Sequence, residues 1–182
     1  MRWMNGLFLA ATLILGAAGA RADDSVAIDC GKTDMKFEAP GYTVTCEDYS
    51  QSTVSVGELS AASQTYSLYA LSEADITFLQ AYSKHVLGGT RLYIHRQSLE
   101  SELEGSFSRK FSDWSAQDDI GDFEVKYVNV TFESGEPEEC VAFRKLGARR
   151  YEGVTGLTAG FACSGEGRSN AINALKSFVS QQ

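Results

Sequence analysis

The chain has 182 residues, with 24 Asp and Glu against 16 Lys and Arg and a formal net charge of −8. An acidic molecule of this kind repels phosphate backbones, which argues against general nucleic-acid binding. The length allows one domain able to bury most of its apolar surface, and no repeat period or Pro/Ser-rich linker divides it.

The chain opens with one Arg near its start, an apolar run from Leu7 to Ala18, and Ala20-Arg21-Ala22 ahead of Asp23 and Asp24. This pattern predicts a secretory signal peptide over residues 1–22, cut at an A-x-A site, and a mature domain over 23–182. The apolar run falls short of the about 20 residues that a spanning helix needs. No cysteine follows the cut to carry a lipid, and no later stretch is long and apolar enough to span a membrane. The short leader suits a bacterial exported protein of the periplasm or the exterior. The sequon Asn129-Val130-Thr131 lies in a predicted strand, where a glycan fits poorly.

All four cysteines, Cys30, Cys46, Cys140 and Cys163, belong to the mature part. In an oxidising compartment an even count predicts disulfides. Of the three possible pairings, Cys30 with Cys46 and Cys140 with Cys163 is favoured, because each pair brackets a plausible hairpin. A redox-active thiol pair would call for C-x-x-C, which is absent.

In chain order, residues 26–71 are rich in Val, Thr, Tyr and Ser with local alternation, the mark of strands. Ser72 and Asp75 resemble a helix cap, and Phe78, Leu79, Tyr82 and Val86 recur at helical spacing up to Gly88-Gly89, which predicts a helix over 73–87. RLYIHRQ, residues 91–97, is a candidate strand. Leu99, Leu103, Phe107, Phe111 and Trp114 then form a stripe that predicts a second helix, weakened by Gly105. Residues 123–133 alternate strongly and predict a strand, followed by two more in ECVAFRKLG and GLTAGFACSG. The segment 169–182 closes as a helix capped by Ser169, with Ile172, Leu175, Phe178 and Val179 on its buried face. The expected fold class is α+β: an antiparallel sheet with helices packed on one face, stapled by two disulfides.

Motifs for chemistry are scarce. GFACSGEGRSN fails the P-loop pattern, since Glu166 follows Gly165, and fails the dinucleotide pattern at Asn170. His85 and His95 lack metal-site spacing, and His85 is expected near helix-end carbonyls. No serine sits in G-x-S-x-G and no cysteine is left over as a nucleophile. Glu100, Glu102 and Glu104 look like a solvated helix face. Asp118, Asp119 and Asp122 do not match the calcium loop. No cofactor, metal or catalytic residue is predicted. A small periplasmic hydrolase using carboxylates or the two histidines is the alternative to a binding or structural role in the envelope.

Charge is distributed unevenly. Residues 100–139 hold 12 acidic and 3 basic groups, whereas 140–182 hold 2 and 6. Four of those six, Arg144, Lys145, Arg149 and Arg150, fall in FRKLGARRYEG and are the candidate binding residues. If Cys140 faces Cys163 in an antiparallel pair, Ala142 faces Phe161 and Leu146 faces Leu157, and the hairpin turns between Tyr151 and Glu152. Phe143 and Leu146 are then structural, and the tip at Arg149 and Arg150 is the best candidate contact for an anionic protein, polysaccharide or lipid headgroup. Neutralisation of these bases within the molecule, and self-association through acid–base complementarity, are the competing readings.

Overall fold

The computed structural model describes residues 25–56, 59–86, 97–133, 135–150 and 153–181. The predicted leader, the segment 91–96 with His95, and Tyr151 with Glu152 lie outside them. Strands dominate. They are β1 (Ser25–Ile28), β2 (Met35–Phe37), β3 (Thr43–Val56), β4 (Leu59–Ser72), β5 (Thr77–Val86), β6 (Lys110–Ser112), β7 (Asp118–Ile120), β8 (Phe123–Thr131), β9 (Pro137–Leu146), β10 (Arg149–Arg150), β11 (Gly153–Val154), β12 (Gly156–Ser164) and β13 (Phe178–Ser180). Two short helices, α1 (Leu99–Ser106) and α2 (Arg168–Lys176), and a 3-10 turn at Cys30–Lys32 complete the described elements.

Nine of the strands form one antiparallel sheet in the order β1-β3-β4-β5-β12-β9-β8-β6, with β7 also on β8. The expected α+β class is therefore corrected to a mostly antiparallel β fold, and its helices do not share one face. Ala171, Ala174 and Leu175 of α2 pack with Met35, Leu68, Leu79, Phe143 and Phe178 on one side of the sheet. Leu99 and Leu103 of α1 pack with Phe107, Phe111, Val130, Leu157 and Phe161 on the other. A strand at the centre of such a sheet must be apolar and compact on both faces. That is the composition of β12, GLTAGFACS, whose nine residues are all buried.

The predicted helix over 73–87 is instead a hairpin turn followed by β5. Thr77, Leu79, Ala81 and Ser83 are buried while Phe78, Gln80, Tyr82 and Lys84 are half-buried, a period of two that suits a pleated strand. β5 also pairs along its length with β4 on one side and β12 on the other. The Ser72 hydroxyl lies beside the Asp75 carboxylate and holds it below its ordinary pKa, but in a turn and not a helix cap.

The second predicted helix stops at Ser106, one residue after Gly105, and Phe107 and Phe111 continue in extended chain. The apolar stripe still ends in one cluster, with Trp114 packed against it. The C-terminal helix is shorter than predicted: Gly167, at φ +105°, precedes it in place of Ser169, and it ends before Phe178. Val179 is exposed in β13, which pairs with β2.

Both disulfides form as expected, with Cα separations of 5.2 Å for Cys30–Cys46 and 4.2 Å for Cys140–Cys163. The first ties the 3-10 turn to β3, the second joins the central strands β9 and β12. The two bonds suit an exported, stabilised protein.

One buried group in β9 works against stability. Oε2 of Glu138 is shielded from solvent with no hydrogen-bond partner, and burial raises the carboxyl pKa above its ordinary value. With the folded pKa above the unfolded one, stability from this group is full below the unfolded value and lost as pH rises through the folded value. Glu138→Gln is therefore expected to raise stability at pH 7 by about 1 kcal/mol and to change little at pH 4, as read by thermal melts at both pH values.

Candidate functional site

The register of the β9/β12 pair decides what the basic stretch can do. Cys140 faces Cys163, Ala142 faces Phe161 and Leu146 faces Leu157, as the cystine argument requires. The same register continues past the sheet: the Gly147 N–H donates to the Gly156 carbonyl at 2.9 Å, Arg149 faces Val154 and Arg150 faces Gly153. β10 and β11 are thus the outer end of one long hairpin whose root is cross-linked.

Alternation along β9 sends its side chains to opposite faces, so Phe143 is fully buried beneath α2 and Arg144 points to the α1 side. Arg144 is only 6 % exposed. Its Nε and Nη2 donate to Glu124 Oε2 at 3.2 and 2.6 Å, and its Nη1 donates to the Gln97 carbonyl at 2.8 Å. Lys145, on the other face, donates to Asp122 Oδ2 at 3.2 Å and to the Ser180 carbonyl at 3.0 Å. Arg168 meets Glu139 at 3.6 Å and lies over the Tyr127 ring. Each acidic partner comes from the 100–139 segment. Neutralisation within the molecule therefore accounts for Arg144, Lys145 and Arg168.

It does not account for the tip. Arg149 is exposed, and among the described residues it has no carboxylate partner. Arg150 lies beside it in β10. The four candidate residues accordingly divide into an inner pair fixed by the fold and an outer pair in β10, where Arg149 is exposed while its partner strand β11 is buried.

The other sequence candidates acquire definite surroundings. His85 is in a strand, not at a helix end, because β5 replaces the predicted helix. Its Nε2 lies 2.8 Å from Asp34 Oδ2, while Ser83 Oγ donates to Asp34 Oδ1 at 2.6 Å. The carboxylate sits between histidine and serine, so Ser83 and His85 meet Asp34 through its two different oxygens. No cluster of metal-ligating residues occurs among the described residues. Asn129 of the sequon donates its amide to Asp113 at 3.0 Å. At the start of α2, the Glu166 carboxylate accepts from Asn170, so a side-chain carboxylate already stands by that helix end.

Glu102 departs from the expected solvated face. It is 6 % exposed beneath α1 and accepts the Tyr82 hydroxyl, which also lies 3.0 Å from Ser106 Oγ. Burial, and then the facing Glu102, push the Tyr82 phenol well above its ordinary pKa. The signal was in the spacing: Leu99, Glu102, Leu103 and Ser106 share one helix face at i, i+3, i+4 and i+7.

No helix among the described residues is long and apolar enough to cross a membrane. No family model matches this chain, and neither a curated protein nor a solved structure matches it, so the functional reading rests on its own chemistry.

Proposed function

We propose that this chain is an exported, disulfide-stapled binding protein of the periplasm or cell exterior, released by cleavage near Ala22, that engages an anionic partner through Arg149 and Arg150. The observation carrying this reading is the division of the basic stretch. Arg144 and Lys145 are held by Glu124 and Asp122, while Arg149 stands exposed beyond them on a hairpin rooted in the Cys140–Cys163 bond.

A paired, cross-linked root limits the conformational freedom that the tip loses on binding, which favours recognition by few contacts. The surrounding molecule is acidic, so the attraction is local and falls as salt screens it. Partners fitting this chemistry are an acidic protein surface, an anionic polysaccharide or a lipid headgroup.

The test uses the mature oxidised protein and three baits: a sulfated polysaccharide matrix, vesicles rich in anionic phospholipid, and an acidic protein. Retention on one of them at low salt, lost as salt rises, is the expected result and names the partner class. Failure to be retained on any bait overturns the reading.

A further inference from the structure

A concave surface lies on the α2 side of the sheet, with a cavity of about 390 Å³ between the end of α2, β13 and the turn joining β7 to β8. This is the small end of the range of ligand clefts, roughly 300–1,000 Å³. Ile120, Phe123, Leu175 and Phe178 supply apolar walls. Val179 adds a 41 % exposed apolar side chain, unusual in this chain, where the other large hydrophobics described as exposed are Val26 and Ile76. The remaining polar lining is unbalanced in charge: Lys145 and Lys176 stand against Asp122 alone.

Lys145 is built into this wall. Its ammonium is anchored by the Ser180 carbonyl and by Asp122, which is itself 78 % exposed, and it lies 6.0 Å from the Phe123 ring centroid. An ammonium has three donors, and these two partners leave one for a ligand. Lys176 is exposed on the rim.

We propose that this groove binds a small amphiphile with a carboxylate head and a short apolar tail, the head on Lys145 and Lys176 and the tail along Ile120 and Val179. The charge selects the sign of the head: with Lys145 paired to Asp122, the exposed Lys176 leaves the lining one positive charge in excess, and an anionic head completes the donor set of Lys145. The walls select the tail, since burying the accessible apolar surface of Ile120 and Val179 adds to what one surface ion pair supplies. This site is independent of the hairpin tip.

Octanoate is the probe, titrated into the full mature protein while backbone amides are followed by NMR, with octanol and octylammonium as comparators. Octanoate is expected to shift the amides of Gly121, Lys176 and Val179 saturably, and octylammonium is expected to leave them unmoved. Lys145→Gln should weaken octanoate binding about tenfold, the loss of one charge-assisted contact, and reversal of Arg149 and Arg150 should leave it unchanged. Scattered or unsaturable shifts, equal binding of octylammonium, or undiminished binding by Lys145→Gln would overturn the proposal. Val179→Asp, altering an exposed side chain, decides the matter if Lys145→Gln does not fold: octanoate binding must then be lost, and its persistence counts against the groove.

Discussion

One methyl group at position 160 is expected to cost the protein more stability than any surface charge. A Cβ built on Gly160 would lie 2.2 Å from the Gln80 carbonyl oxygen, 2.8 Å from the Ala81 Cα and 2.8 Å from the Phe143 ring. The first two atoms belong to the backbone of β5, which is locked between β4 and β12 and cannot turn aside as a side chain can. Relief requires the sheet to spread at its centre, where all of β12 is buried. Gly160→Ala is expected to lose about 4 kcal/mol or more, the range reserved for overpacking that reaches backbone. Gly105→Ala is the control: it sits in α1 with nothing within 4 Å of the added Cβ, and should gain about 0.5–1 kcal/mol. Urea unfolding of the two variants should move their midpoints in opposite directions.

The second large effect is expected at Arg144. Methionine in its place keeps most of the apolar stem but removes the cation that Glu124 and the Gln97 carbonyl depend on. Glu124 retains 22 % exposure in its side chain, so water offsets part of the loss, and about 3 kcal/mol is expected. The pair is testable as a pair: Glu124→Gln in the Arg144→Met background should recover part of the stability, because the stranded carboxylate is gone. If Arg144→Met costs no more than an ordinary surface substitution, the inner half of the basic stretch is not structural.

The contrast between legible and illegible features has a physical basis. The cystine pairing and hairpin register could be read from sequence because an antiparallel partner is fixed once one cross-strand pair is known, and Cys140 with Cys163 supplies it. The strand at Phe123 could be read because β8 alternates within each half, burying Phe123 and Val125 on one face and Val128 and Val130 on the other. β5 misled because Phe78, Leu79, Tyr82 and Val86 fit a helix as well as a strand, and the turn chemistry of Ser72 and Asp75 imitates a cap. The placement of the helices was beyond local pattern, since which face each covers depends on how β12 inserts between β5 and β9. The same insertion decided the fate of the basic residues. Charge counts showed that acid and base were separated along the chain, but only the adjacency of β8 and β9 brings Glu124 to Arg144, and only the turn before β8 and the end of β13 bring Asp122 and Ser180 to Lys145.

The claim that this stretch has a structural half and a contacting half is tested most directly by salt-dependent retention on the anionic bait, measured beside thermal stability in the same preparations. Reversal of the tip by Arg149→Glu with Arg150→Glu is predicted to abolish retention and leave the melting temperature unchanged, whereas Arg144→Met is predicted to lower the melting temperature while the folded protein is still retained. Undiminished retention of the tip variant would contradict the account.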